Sequence, residues 1–117
     1  MFKKNNRLSK SKDIETVFRA GRSFFSPYFV VRFIPQKTVD KRIAVVVSNR
    51  VSKKAVERNR IKRLIRETAK PYLNQLAPGH YAVIAKGSAA EKTATTLRPV
   101  LSQLLQRVAA FKFRPRI

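Results

Sequence analysis

The 117-residue sequence has no cysteine, one histidine and only six acidic residues. Without cysteine the chain has no disulfide framework and no cysteine-based zinc site, so it fits a reducing compartment. Its longest apolar runs, at 43–47 and 81–85, are about a quarter of the length that a membrane span needs. Residues 1–13 are polar and basic and lack the apolar centre of a signal peptide. We therefore expect a cytoplasmic protein with no membrane partner.

Lysine and arginine outnumber the acidic residues by 27 to 6, which gives a formal net charge of +21 at pH 7. A charge of this size favours an acidic partner over a neutral one. The hydrophobic content of 44% is close to the roughly 45–50% of folded domains, and a disordered basic tail would contain much less. We predict one folded domain over 1–117, with a basic N-terminal arm at 1–10 and a basic C-terminal tail at 110–117.

A short amphipathic helix is predicted after the N-terminal arm. Ile14, Val17 and Phe18 follow at helical spacing, so their side chains share one face. Ser11 is a residue type that caps helix N-termini, and Gly21 is a residue type that ends helices. We expect the helix to lie between these two residues.

The middle of the chain predicts strands on both sides of a long helix. Residues 28–34 and 42–48 are rich in β-branched and aromatic types, and we expect them to pair as an antiparallel hairpin. Apolar residues at helical spacing predict a helix over 55–70, and the apolar run that follows Pro78-Gly79 predicts a strand over 80–85. A strand, a long helix and a second strand indicate a parallel βαβ unit.

Leucine residues between 97 and 108 predict a last helix, with Pro99 in its first turn, where a missing amide hydrogen is tolerated. Together these elements predict an α+β fold. We expect a single sandwich of the α-β-β-α-β-α type, in which helices pack against a small central sheet.

The helix over 55–70 separates its positive residues from its apolar ones. At about 100° per residue, the basic side chains fall on one stripe and Ile61, Leu64 and Ile65 fall on the opposite arc. Positive residues four apart repel one another, and arginine prefers bidentate contact with phosphate. We interpret the stripe as a surface for a structured polyanion and favour RNA, because nothing resembles a helix-turn-helix pair. Arg60 stands at the border of the apolar arc, so it must either snorkel or reach a specific anion.

Two alternatives for this helix stay open but are less favoured. A solvated lysine-rich face is the usual fate of a run of charges, yet this run is mostly arginine. A calmodulin-binding or membrane-surface helix also needs a basic and an apolar face, but here the apolar face is needed to cover the sheet.

Residues 55–66 resemble the signature of the bacterial ribonuclease P protein component, with its Arg-Asn-Arg core at 58–60. The similarity extends to Arg7-Leu8, to Phe18 and to the three predicted strands. It implies a partnership, one protein per RNA, with a large catalytic RNA that removes the 5′ leader from precursor tRNA. It also implies that the RNA holds catalytic Mg²⁺, that the protein binds no cofactor and makes no catalytic contribution of its own, and that the βαβ crossover is left-handed.

The resemblance assigns two sets of RNA-binding residues. The helix and the loop before it would bind the catalytic RNA through Arg58, Asn59, Arg60, Lys62, Arg63 and Arg66, with Arg50, Lys53 and Lys54. A cleft between the first helix and the sheet would bind the leader through Ile14, Phe18, Arg32 and Lys86. Ile14 and Arg32 stand where aromatic residues are common in the family. Arg32 could stack its guanidinium plane or hold a phosphate, whereas Ile14 and Phe18 could equally serve as core packing.

The residues themselves offer no catalytic or metal-ligating set. His80 fits a turn or the edge of a strand, and Asp13 and Glu15 fit charges at a helix N-terminus. An autonomous nuclease is therefore disfavoured. The main alternative is a ribosomal or other structural RNA-binding protein with no part in tRNA processing, since size and charge fit that class equally.

Overall fold

The computed structural model describes residues 7–36 and 41–111. Within these ranges the elements are α1 (Ser11–Ala20), β1 (Arg22–Phe25), β2 (Phe29–Pro35), β3 (Lys41–Val46), α2 (Ala55–Ala69), a 3₁₀ turn (Lys70–Tyr72), β4 (Gly79–Ala85), a second 3₁₀ turn (Gly87–Ala89) and α3 (Ala94–Ala110). None of the helices in this part of the chain is long and apolar enough to cross a membrane.

The four strands form one mixed sheet in the order β1-β2-β4-β3. β2 runs antiparallel to β1 and β4, whereas β3 and β4 are parallel and are joined through α2. The predicted α+β class and the parallel βαβ unit are confirmed. The left hand of the crossover stays a prediction.

The predicted antiparallel hairpin between 28–34 and 42–48 is wrong, because β4 lies between β2 and β3. β4 is buried along most of its length. A strand that is covered on both faces is most stable in the middle of a sheet, where a neighbouring strand pairs with each of its edges. A direct hairpin of β2 with β3 would have left β4 at an edge. β1 was not predicted, since four residues are too few to show an alternating pattern.

The sheet has two differently covered faces. On the α2/α3 face, the side chains of Phe29, Val31 and Phe33 join the main core with those of α2 and α3. On the opposite face, here called the α1 face, Val17 of α1 packs against Ala44 and Ala82. Alternate residues of each strand therefore belong to different cores.

Both ends of α1 differ in detail from the predicted ends. Lys10, not Ser11, occupies the N-cap, and its carbonyl accepts a hydrogen bond from Ile14 N–H at 3.1 Å. Gly21 does end the helix, but with an ordinary φ of −73°. Glycine is needed there because a Cβ atom would lie 2.3 Å from the Val17 carbonyl oxygen.

The last helix begins earlier than the leucine pattern indicates. Thr93 caps its N-terminus by accepting from Thr96 N–H, and the helix starts at Ala94. Pro99 is consequently in the second turn and not, as predicted, in the first. Its ring removes one intrahelical hydrogen bond, but five leucine and valine side chains of α3 are buried and hold the helix on the sheet.

Replacement of Gly79 by alanine should destabilise the fold. A Cβ atom at this position would lie 2.3 Å from Phe33 Cε1 and 2.5 Å from the Ile34 carbonyl oxygen, and φ is +158°. Overpacking of this kind costs about 1–3 kcal/mol in the free energy of unfolding. Urea denaturation measures the loss. Gly87→Ala is the matched control, because its nearest contact, Arg50 O, lies 4.0 Å away; equal unfolding midpoints for the two variants would contradict the prediction.

Candidate nucleic-acid interface

The two flanks of α2 carry different chemistry. One flank faces α3, where Arg60 Nη2 donates to Lys92 O at 3.2 Å and Glu67 pairs with Arg98 at 3.1 Å. The other flank carries cations, which are here called the basic stripe: Arg58, Lys62, Arg63 and Arg66. Between the flanks Ile61, Leu64, Ile65 and Ala69 are buried under the helix. The predicted separation of charged from apolar residues is confirmed.

Arg60 belongs to the α3 flank and not to the stripe. Its guanidinium contacts both carboxylate oxygens of Glu57, with Nη2 at 2.5 Å from Oε1 and Nε at 3.3 Å from Oε2. The hydrogen bond from Arg60 lowers the pKa of Glu57, and the same bond raises the pKa of Arg60. The anion that Arg60 reaches is therefore supplied by its own helix. Its side chain stays 39% exposed, so the predicted RNA contact is not blocked.

The basic loop between β3 and α2 is held by its own backbone. Val51 is buried, and its amide donates to Ser48 O at 3.0 Å. Ser48 Oγ and Ser52 Oγ accept from later amides of the loop, and Arg58 Nη1 donates to Ser52 O at 3.0 Å. The cationic side chains of the loop all point outward from this frame: Arg50, Lys53 and Lys54 are exposed. Loop and stripe therefore form one continuous positive surface.

The predicted cleft lies where α1 crosses the α1 face of the sheet. Val17 is fully buried there and Ile14 packs partly into the same cluster, which favours the packing role for Ile14. Phe18 is different, because 38% of its surface is exposed. Of the two apolar residues predicted to line the cleft, Phe18 is the one with a ring open to a ligand.

Arg32 joins the sheet to the end of α1. Its Nε donates to Val17 O at 3.3 Å and its Nη2 donates to Gly21 O at 3.2 Å. A cation is favoured at this place, since the C-terminus of a helix carries partial negative charge. Arg32 thus holds the end of α1 in place above the predicted cleft, a role that the sequence did not suggest.

Lys86, the last residue predicted for the cleft, lies directly after β4 and next to the turn between β1 and β2. It is exposed, and its Nζ is 3.3 Å from Ser26 O. The next residue, Gly87, approaches the Arg50 carbonyl. Lys86 and the basic loop therefore lie at the same end of the sheet, where the parallel strands β3 and β4 both end.

Sequence reasoning missed a row of apolar side chains beside the cleft. Phe25 is opposite Val30, Val30 is opposite Ile84, and Ile84 is opposite Val46. Phe25 is 64% exposed and the other three are partly exposed. The sequence signal is weak, because only the register of β1 decides which residue of Phe24-Phe25 points outward.

The acidic and histidine side chains of the described residues are not clustered. Within 7–36 and 41–111, no three His, Asp or Glu residues gather where a metal ion could bind. Glu57 and Glu67 pair with arginines, and His80 is the second residue of β4. Both described glutamates of α2 thus act as partners of arginine side chains.

Comparisons with known proteins cover nearly the whole chain. A family model described as Ribonuclease P matches residues 2–109. The ribonuclease P protein component of a Nitratiruptor species is 34% identical over 106 residues, which are 91% of this chain and 94% of that protein. The structure of the Staphylococcus aureus RNase P protein is similar with a TM-score of 0.83, at 30% identity over 93% of this chain and 100% of that one. The Thermotoga maritima RNase P protein has a TM-score of 0.76, at 29% identity over 87% and 96% of the two chains.

Arg32→Met should loosen α1, because the thioether cannot donate to the Val17 and Gly21 carbonyls. We expect a loss of about 1 kcal/mol in the free energy of unfolding, the size of a partly exposed hydrogen bond. Urea denaturation measures it, with Arg19→Met on the exposed side of the same helix as the control. If both variants unfold at the same urea concentration, Arg32 does not hold the helix.

Arg60→Met should raise the pKa of Glu57 towards that of an ordinary carboxyl group. The folded-state pKa of Glu57 lies below the unfolded one, so the ion pair stabilises the fold at pH values above the unfolded-state pKa. That contribution is lost as the pH falls through the folded-state pKa. An NMR titration of the Glu57 carboxyl carbon measures the shift. Arg98→Met should leave the Glu57 pKa unchanged, and an unchanged pKa in Arg60→Met would show that Arg60 is not the cause.

Proposed function

The chain belongs to the ribonuclease P protein family, and from that premise we propose how its two surfaces work. The basic stripe and the basic loop bind the catalytic RNA. The cleft beneath α1 binds the 5′ leader of precursor tRNA. One protein joins one RNA in the cytoplasm and assists removal of the leader, which leaves the mature 5′ end of the tRNA.

The distribution of the charges on α2 carries this proposal. In the described part of the chain, both ion pairs of α2 lie outside the stripe, at Glu57–Arg60 and Glu67–Arg98. The stripe therefore keeps its positive charge, and its members repel one another at spacings of four residues. A row of phosphates removes that repulsion and releases bound counterions on contact. An RNA helix or a folded RNA strand supplies such a row.

The cleft supports the second half of the proposal. A single strand of RNA is bound best by a positive groove that also presents rings to its unpaired bases. The cleft combines the partly exposed ring of Phe18 with the cationic rim at Lys86. The hydrogen bonds from Arg32 hold the helix that carries Phe18. A base entering the cleft thus meets a surface that is already ordered, which lowers the entropy cost of binding.

The chemistry of cleavage is assigned to the RNA. Catalytic Mg²⁺ is bound by RNA groups, and the protein is non-catalytic and holds no cofactor of its own. In support, the two glutamates nearest the stripe are paired with arginines and are poorly placed to ligate a metal ion. The protein contributes positive charge, which reduces the repulsion between the two RNAs and raises the affinity for the substrate.

The proposal is tested by reconstitution with a bacterial ribonuclease P RNA and a precursor tRNA at low magnesium concentration. Adding the protein should increase kcat/KM for leader removal, whereas the protein alone should cleave nothing. No change in rate or substrate affinity would overturn the proposal. Retention of ribosomal RNA through a high-salt wash, together with that negative result, would favour a structural ribosomal role.

Arg63→Gln should weaken binding of the catalytic RNA and reduce its salt dependence. Each lost phosphate contact should lower the slope of log K against log salt concentration by about 0.7–0.9. Filter binding across a salt series measures both quantities. Arg98→Gln removes the same charge from a residue that already pairs with Glu67, so its slope should stay that of the unmodified protein. Equal slopes for the two variants would mean that the stripe makes no special contact.

A further inference from the structure

We propose that Phe25 is a stacking platform for one unpaired base of the leader, which extends the cleft from α1 to the outer strand of the sheet. This inference rests on the proposed function, because it assumes that the leader enters the cleft. It assigns a binding role to a residue outside the set that sequence and resemblance indicate.

The pairing of the strands places the ring of Phe25 at the end of a continuous row of apolar side chains. The row runs across all four strands from Phe25 through Val30 and Ile84 to Val46, all on the α1 face. With neighbouring strands about 4.8 Å apart, the row spans about 14 Å. α1 covers the adjacent row, at Ala82 and Ala44, and leaves this one partly open. The row is therefore a strip of apolar floor that continues the cleft.

Phe25 is exposed although its neighbour is not. Phe24 points to the other face, packs partly against the main core and meets the Phe111 ring edge-on at a centroid distance of 5.4 Å. Phe25 leaves 64% of its surface in solvent. The ring therefore contributes little to the stability of the fold, because most of its surface is not buried. The exposed ring and the partly exposed row beside it form one contiguous apolar patch, and such patches mark sites of contact with partners or ligands.

The turn that carries Phe25 is held by donors from distant parts of the chain. Arg107 of α3 donates to Phe25 O, Lys86 Nζ lies 3.3 Å from Ser26 O, and Ser88 Oγ donates to Pro27 O at 2.6 Å. Ser26 Oγ also bonds to Phe29 at both its amide and its carbonyl. The backbone beneath the ring is consequently ordered before any ligand arrives, so stacking on it costs little additional entropy.

The charges around the row match single-stranded RNA. Lys86 follows Ile84 by two residues on the same face, and Arg107 reaches the Phe25 carbonyl from α3, on the other face of the sheet. Of the described acidic side chains, Glu57 and Glu67 lie on the opposite face of the sheet, and Asp13 and Glu15 lie on the first half of α1. A sheet face that offers an aromatic ring beside a cation is a known solution for binding unpaired bases. We therefore choose unpaired RNA as the occupant. A second copy of this chain is disfavoured, because two molecules with a charge of +21 each repel one another.

The test combines Phe25 variants with abasic leaders in the reconstituted holoenzyme. Precursor tRNAs carry a single abasic site, moved one position at a time along the leader, and their Kd values are measured with protein containing Phe25, Phe25→Leu or Phe25→Tyr. Phe25→Leu should weaken binding of the intact leader by about fivefold or more, the usual size of one base–aromatic stack. Phe25→Tyr keeps a ring and should bind as the unmodified protein does. At one leader position the abasic site should abolish the difference between Phe and Leu.

Several results would overturn the inference. A loss with Phe25→Leu that persists at every abasic position, or no loss at all, would show that no base stacks on the ring. A dimer that Phe25→Leu converts to a monomer in light scattering would assign the ring to self-association. Failure of the proposed function is distinguishable, because then the unmodified protein itself would not discriminate precursor from mature tRNA. Since Phe25 is largely exposed, the variants should fold, and this is checked by measuring their unfolding midpoints.

Discussion

The parallel pairing of β3 with β4 sets the position of every proposed RNA contact. A parallel pair cannot be closed by a tight turn, so the chain must cross over through α2 before it returns as β4. Both strands then end at the same edge of the sheet. The basic loop follows β3 at that end of the sheet, and Lys86 follows β4 at the same end. The stripe on α2 and the cleft under α1 are thereby brought together, although one lies on each face of the sheet.

The cations of this chain fall into those that make contacts within the fold and those that project from it towards a partner. A chain with a net charge of +21 gains nothing from adding more cations unless an anion is present. The cations that serve the fold are those with partners inside it: Arg60 on Glu57, Arg98 on Glu67, Arg32 on the end of α1 and Arg107 on the turn at Phe25. The cations of the stripe and loop project from helices and turns that these contacts hold in place. The same residue type therefore has two roles, and Arg58 combines them, because it belongs to the stripe and also donates to Ser52 O.

The long helix and the buried strand could be predicted from the sequence, because each has a strong pattern of its own. Apolar residues recur at helical spacing through α2, and the run in β4 is continuous. Strand order could not be predicted in the same way, since it depends on how β4 is covered and not on any pattern within β2 or β3. The orientation of Phe25 was hidden because β1 is only four residues long.

The sequence predicts which residues make up the candidate site, but it does not predict which partner each side chain has within the fold. The separation of the basic stripe follows from helical geometry alone. The internal partners of Arg60 and Arg32 cannot be predicted from helical geometry. Glu57 is close to Arg60 in sequence but is only one of several possible anions, and the end of α1 is close to Arg32 only in the folded chain. Resemblance to a family indicates which positions matter but not what the residue at each position does. At position 32, where an aromatic ring is common in the family, this chain has an arginine that holds the helix above the cleft.

The central claim is that two different RNAs contact two different surfaces, and site-specific crosslinking tests it most directly. A photoreactive side chain is placed at position 63 in the stripe or at position 18 in the cleft, and the protein is assembled with the catalytic RNA and a precursor tRNA. After irradiation the attached RNA is sequenced. We predict that position 63 labels the catalytic RNA and position 18 labels the leader. Labelling of the same RNA from both positions would contradict the account.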